Sequence, residues 1–246
     1  MLSTPSYANA TVWSGCKVSS SGYPVILETG RTDLHYLERD PIPPVGLNRY
    51  QHGQDTWSNT CPTQVERSGI WAKLDTMQGQ RCAYCEALMS ETNRHIEHFR
   101  QRGRYPQGTF DWSNLFGSCN RAGTCGDQKD KCGVYPHQDL IKPDIEDPEA
   151  FLVFTPSGAV RARANLTPEA HHRATETIRI LALDGALNQI RRAEVAGYIQ
   201  TAEAFFELAH NFPEEEWLPE LLQEIQNTVH LPFATAIKHV LTRQSD

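Results

Sequence analysis

The chain has 246 residues, 39% hydrophobic and 22% charged, with a formal net charge of −7. That composition supports a packed core and excludes global disorder, and no apolar run approaches the roughly 18 residues of a membrane span. The acidic balance excludes a protein coated in basic surface for unspecific nucleic-acid binding, but not a local basic groove.

Residues 1–35 are rich in Ser, Thr, Gly and Asn without periodicity, which predicts a loose arm. Met1–Gly15 lacks a basic start followed by an apolar stretch, so a cytoplasmic chain without a secretory leader is expected. Pro41, Pro43, Pro44 and Pro62 break helices, so 40–62 is expected to run extended over the surface. From Gln64 to Gly79 an amphipathic helix is predicted, with Val65, Ile70, Trp71 and Leu74 on one side. Ala87–Met89 and His95–Phe99 read as short β segments around the polar turn Ser90–Arg94, and Phe151–Phe154 with Ala159–Ala162 as a hairpin turning on Pro-Ser-Gly. Then the character switches. Thr167 as N-cap and Pro168 at the first position open a helical region, predicted as helices 168–183, 185–210, 214–228 and 233–243.

Charge is unevenly spread. Arg81–Lys131 holds eight Lys/Arg and six Asp/Glu, a net of +2, whereas Val195–Asp246 holds two and eight, a net of −6. The acidic end is read as a solvated helical surface, with a docking face for a basic partner as the sharper alternative.

Seven cysteines stand at 16, 61, 82, 85, 119, 125 and 132, five of them within 51 residues. In a chain expected to be reduced, clustered cysteines point to metal rather than disulfides. Cys82-Ala-Tyr-Cys85 is a CxxC knuckle, and Cys119 with Cys125 supplies a second pair. Four thiolates make a closed, structural zinc site. Cys132 competes for the fourth place. A redox CxxC is the weaker reading, because the βαβ setting of thioredoxin-like proteins is missing. Cys16 and Cys61 read as ordinary thiols.

Between the two cysteine pairs lies His95-Ile-Glu-His-Phe99, followed by Asp111-Trp-Ser-Asn-Leu-Phe116 just before Cys119. This order resembles the zinc-containing HNH (ββα-metal) endonucleases. Phosphodiester hydrolysis needs a deprotonated water and charge stabilisation on the leaving oxygen. His98 is the candidate general base, since imidazole titrates near neutrality. Glu97 beside it is the candidate ligand of a catalytic Mg2+ or Mn2+; the family often has Asp there. The resemblance implies that Asn114 braces the loop around the base. It also implies a second metal ligand, for which Asn120 and Asp130 are candidates, and a Lys129 that touches phosphate. His95 reads as a structural histidine, with a second metal-side histidine as the alternative. Arg100, Arg102 and Arg104 are candidate phosphate contacts. Trp112 and Phe116 read as core.

A longer set of segments carries a narrower resemblance: Arg81–Glu86, Ile96–Arg100, Asp111–Phe116, Ser118–Asn120, Cys125–Asp130, Leu140–Pro143 and the run ending at Leu183. They resemble the HNH nuclease of Septu and retron-associated anti-phage systems, the PtuB-like family, over roughly 37–200. The resemblance implies an effector working with an ABC/SMC-like ATPase and, in retron versions, with a reverse transcriptase and its RNA–DNA product. The expected fold is α+β, mainly α. An arm at 1–62 precedes a small zinc-stapled ββα-metal module at 63–165, and a helical region fills 166–246. A stand-alone restriction-type HNH nuclease and a non-catalytic zinc-binding partner module remain as alternatives.

Overall fold

Thr63 sets the first helix, α1 (Gln64–Gln78), through a reciprocal cap: its hydroxyl accepts from Glu66 N–H, and its own N–H donates to Glu66 Oε2 at 2.8 Å. Gly79, with φ 59°, closes the helix in the left-handed region. Ile70 and Leu74 bury one face against Leu47, Phe110, Trp112 and Leu115, the core of this part of the molecule. Val65 does not join them and is 82% exposed. Nine residues at about 100° each leave it half a turn from Leu74. The first turn instead buries Glu66, held by Tyr50, Thr63 and Arg49.

The computed structural model describes residues 36–243, which belong to one compact unit, Asp33–Asp246. The arm read at 1–35, and Cys16 in it, lie outside the described residues. The proline-rich stretch after it has only a short 3-10 turn, Leu47–Arg49, and is fastened to the core by backbone acceptors. Arg39 donates to Trp112 O and Leu115 O, both at 2.9 Å, and Trp112 Nε1 donates to Asp40 O at 2.8 Å.

Strand β1 (Arg94–His98) pairs antiparallel with β2 (Leu115–Cys119), placing Glu97 opposite Phe116 and Arg94 opposite Cys119. Ala87–Met89 is not a strand, contrary to the sequence reading; it contributes one isolated bridge, Leu88 to Arg81. The partner of β1 comes instead from the Leu115–Cys119 stretch, and Gly117 lets β2 lie tight against α1. A Cβ there would come within about 3 Å of Trp71, Gln78 and Met89. Gln78 fills the gap with a two-way amide contact, accepting from Gly117 N at 2.8 Å and donating to Gly117 O at 2.9 Å. A short helix, α2 (Cys125–Lys131), follows the hairpin.

The second hairpin, β3 (Leu152–Phe154) with β4 (Val160–Ala162), forms as the Pro-Ser-Gly signal predicts. Gly158, φ 83°, is required twice over. The turn is left-handed there, and a Cβ would sit 2.0 Å from Asn188 O. The helical region comprises α3 (Pro168–Ile180), α4 (Ala186–Val195), α5 (Ile199–Asn211), α6 (Glu214–Thr228) and α7 (Ala234–Leu241). Helix α3 stops at 180 rather than 183, since Ala182 turns left-handed. The stretch read as one helix, 185–210, is two, separated by a 3-10 turn at Ala196–Tyr198. Helix α7 is buried nearly throughout and packs against α4, α5, α6 and β3. Among the described residues no helix is long and apolar enough to cross a membrane.

This helical region closes onto the CxxC segment through hydrogen bonds. Arg81 Nη1 donates to Val229 O and Leu231 O at 2.8 and 3.0 Å. Glu86 accepts from Thr235 N–H and Oγ1–H at 3.0 and 2.7 Å. Cys125 N–H donates to Leu181 O at 2.7 Å.

Candidate metal centre and histidine–carboxylate site

The knuckle is a tight turn. Glu86 N–H donates back to Cys82 O at 3.0 Å, and Glu86 takes φ 61°, which swings Cys82 and Cys85 to the same side. Strand β2 delivers Cys119, and Cys125 enters from the start of α2 with φ 52°. The four sulfurs lie within 4.8 Å of one another, all buried, with Cys85 Sγ and Cys119 Sγ 4.0 Å apart. Tetrahedral zinc with Zn–S bonds of about 2.3 Å requires sulfur separations of about 3.8 Å. The cluster therefore suits a metal such as zinc. Hydrogen bonds from Cys125, Cys82 and Cys85 pull the Cys119 thiol far below its ordinary value, while the bond to Cys119 pushes Cys125 up. Four sulfurs at this spacing cannot all ionise without a cation among them. Cys132 is outside the cluster; its thiol is directed to Lys129 O at 3.3 Å.

Beside this centre, β1 presents successive side chains to opposite sides. On one side stand His95 and Glu97. Glu97, 3% exposed, pairs through Oε2 with His95 Nε2 at 2.9 Å and through Oε1 with Lys129 Nζ at 2.6 Å. Burial works to raise the Glu97 carboxyl, but the His95 hydrogen bond and the Lys129 charge outweigh it, so it stays below the usual carboxylate range. His95 is likewise pulled down by burial, but its bond to Glu97 leaves it above the ordinary imidazole value.

On the other side stands His98. Its Nε2–H donates to Thr109 O at 2.9 Å, so the proton is fixed on Nε2 and the free lone pair is on Nδ1. Trp57 packs edge-on against the ring, with centroids 4.5 Å apart. Burial, then the charge of Arg102, pushes the imidazole down to about 4. His98 is thus a neutral imidazole of fixed tautomer at neutral pH.

Asn114 is fully buried and holds the loop that aims His98. Its Oδ1 accepts from Arg100 N at 2.7 Å, and its Nδ2 donates to Gly108 O at 2.9 Å, one residue before Thr109. Lys129, expected at phosphate, has no exposed side-chain surface and an ammonium already held by Glu97 and by Asp130 at 3.1 Å. Asp130 lies in the last turn of α2. Asn120 Oδ1 is taken up by His95 Nδ1–H at 2.6 Å. Arg102 and Arg104 are exposed, whereas Arg100 is half-buried and paired with Asp111 at 2.8 Å. Nothing in the sequence spacing links Trp57 or Thr109 to this site. Their roles arise from the path of the chain between elements.

Fold and site together define a mainly helical protein, built around a buried four-cysteine centre and carrying a histidine–carboxylate strand next to it. No family model matches the chain. Over 155 residues it is 27% identical to the Septu protein PtuB of Bacillus thuringiensis, covering 59% of this chain and 56% of that protein. Over 127 residues it is 28% identical to the "Retron Vc95 putative HNH endonuclease" of Vibrio cholerae serotype O1 biovar El Tor, covering 49% of this chain and 60% of that protein. The match spans less than two thirds of the length of either relative. At this modest identity and partial coverage, the chain is similar to two proteins named for the Septu and retron systems, one of which is named a putative HNH endonuclease.

Proposed function

We propose that the chain is a metal-dependent HNH endonuclease that hydrolyses phosphodiester bonds, with the hairpin β1–β2 and helix α2 as its ββα-metal unit. The observation that carries this reading is the division of labour on β1, where Glu97 and His98 are adjacent, differently partnered and differently tuned. His98 Nδ1 takes the proton from the attacking water, and Thr109 O stabilises the Nε2–H side of the imidazolium that results. Bound at Glu97, a Mg2+ or Mn2+ ion supplies neutralisation of charge on the phosphate and leaving oxygen. Asn114 keeps the 100–109 loop, and so Thr109, in place. Arg102 and Arg104 contact the phosphate backbone. Zinc at Cys82, Cys85, Cys119 and Cys125 staples the unit.

In this reading the boundaries at 62 and 165 separate three roles, those of an arm, a cutting module and a helical region for assembly. The partners are an ABC/SMC-like ATPase and, in a retron setting, a reverse transcriptase with its RNA–DNA product. The exposed Glu214, Glu215 and Glu216 at the start of α6 offer a basic partner an acidic face. Purified chain, alone and with a candidate ABC/SMC-like ATPase partner, is assayed on DNA and RNA with Mg2+ or Mn2+. His98→Ala is expected to keep nucleic-acid binding and lose about 10²–10⁴ in cleavage rate. Wild-type cleavage by His98→Ala overturns the assignment. Metal-independent cleavage by the wild type overturns the reaction class.

A further inference from the structure

We propose that His95 Nε2 and Glu97 Oε2 together bind the divalent ion of this site, with Asn120 aiming the imidazole and Gly126 providing the room. The inference deepens the nuclease reading above and rests on it.

Residues 95 and 97 lie two apart on β1, so both side chains project from the same face of the strand. Their facing atoms are 2.9 Å apart. Two neighbouring ligands of an octahedral ion with bonds of about 2.1 Å are separated by about 3.0 Å. Asn120 decides where the protons go. Its Nδ2 donates to Arg94 O at 3.2 Å, which turns Oδ1 toward His95 Nδ1 at 2.6 Å. Nδ1 must therefore carry a hydrogen, and the lone pair of the neutral ring is at Nε2, aimed at a carboxylate oxygen. Two lone pairs at that distance meet either over a shared proton or over a metal ion that takes the proton's place. An oriented outer hydrogen bond of this kind is the usual support of a metal-binding histidine.

Glu97 is held as firmly. Lys129 Nζ grips Oε1 at 2.6 Å and leaves Oε2 for the His95 side. The neighbouring backbone makes space for both donors. A Cβ on Gly126 would lie 2.5 Å from Glu97 Oε2 and 2.8 Å from His95 Nε2. The His95 side chain is 33% exposed against 3% for Glu97, so the pair opens to solvent on the histidine side. Water and phosphate oxygens can complete the shell from there, as is common for ions held by one or two protein donors. The two second ligands suggested by the sequence are differently used: Asn120 Oδ1 is occupied by His95, and Asp130 is 61% exposed at the end of α2 and paired with Lys129. An imidazole donor also tilts selectivity toward transition ions over Mg2+.

The test titrates the full chain with Mn2+ alone. Electron paramagnetic resonance counts the bound ion, and electron spin-echo modulation detects a directly bound imidazole nitrogen. Wild type is expected to bind one Mn2+ with nitrogen coupling. His95→Gln should lose the coupling and bind at least about 10-fold more weakly, and Asn120→Ala should weaken binding about 10–100-fold. His98→Ala should retain the coupling. Zinc content equal to wild type checks that each variant is folded, and Gly126→Ala gives an independent closure of the space. Nitrogen coupling that survives in His95→Gln overturns the proposal, as does Mn2+ bound without nitrogen. If Glu97→Gln still abolishes binding in either case, the metal-dependent nuclease reading stands without His95. No Mn2+ bound by wild type overturns both.

Discussion

Lys129 and Glu97 form a buried ion pair on which stability and site geometry both depend. Lys129 is fully buried, its Nζ lies 2.6 Å from Glu97 Oε1, and Glu97 is itself 3% exposed. Breaking such a pair by removing one partner costs about 3–5 kcal/mol, because a charge stays buried without its counterion. In Lys129→Met the carboxylate keeps the His95 contact, which places the expected cost near the lower end, about 3 kcal/mol. Glu97→Gln strands an ammonium whose remaining partner, Asp130, is largely exposed, so its cost should be about 2–3 kcal/mol. The double variant removes both charges and keeps similar volumes. It should lie within about 1 kcal/mol of wild type, giving a coupling of at least about 4 kcal/mol. Urea unfolding of the zinc-loaded chain reads this directly. With a slope of about 3 kcal/mol/M, the lysine variant should unfold about 1 M earlier. A Lys129→Met protein within about 1 kcal/mol of wild type, or single-variant costs that simply add, would refute the view that the pair is desolvated and mutually dependent.

Three further outcomes are expected. Cys125→Ser should lose zinc and unfold the module, since a structural zinc contributes on the order of 10 kcal/mol in small folds, whereas Cys132→Ser should keep one zinc per chain; metal analysis showing the reverse would exchange the two residues. His98 should stay neutral with its proton on Nε2 as pH falls from 8 to 5 and titrate near 4, seen by imidazole NMR; a midpoint near 6.5 refutes its burial against Trp57. Because the folded value lies below the unfolded one, the unfolded chain binds the extra proton, so this histidine's contribution, at most about 3 kcal/mol, is lost as pH drops from about 6.5 toward 4. Asn114→Ala removes three hydrogen bonds to Arg100 and Gly108 and should cost about 3 kcal/mol, with cleavage falling further than binding; an unchanged melting profile would show that the loop is braced elsewhere.

Much of this molecule is written locally. The capped start of α1, the Thr167-Pro168 entry to α3 and the Pro-Ser-Gly turn are short-range signals, and each forms where the sequence places it. The two cysteine pairs are legible for the same reason: metal-binding spacing is chemistry confined to a few residues. So is the adjacent Glu97-His98 pair, whose division between two sides follows from strand geometry alone. Other features depend on residues distant in sequence. Cys125 and Cys132 are indistinguishable by spacing; Cys125 joins the cluster because its N–H is tied to Leu181, 56 positions along the chain. The partner of β1 is β2 and not 87–89, a long-range pairing in which Gly117 leaves room for Trp71 and Gln78 of α1. Imidazole chemistry suggested that His98 would titrate near neutrality, but Trp57 from the proline-rich segment and Thr109 from the loop bury it and fix its tautomer. The resemblance puts Lys129 at phosphate, and only the packing of α2 against the β1–β2 hairpin turns it inward to Glu97. Local backbone preference and ligand spacing act over a few residues and can be read from the chain. Burial, counterion and proton position are set by whatever the fold brings alongside, and only the tertiary structure decides them.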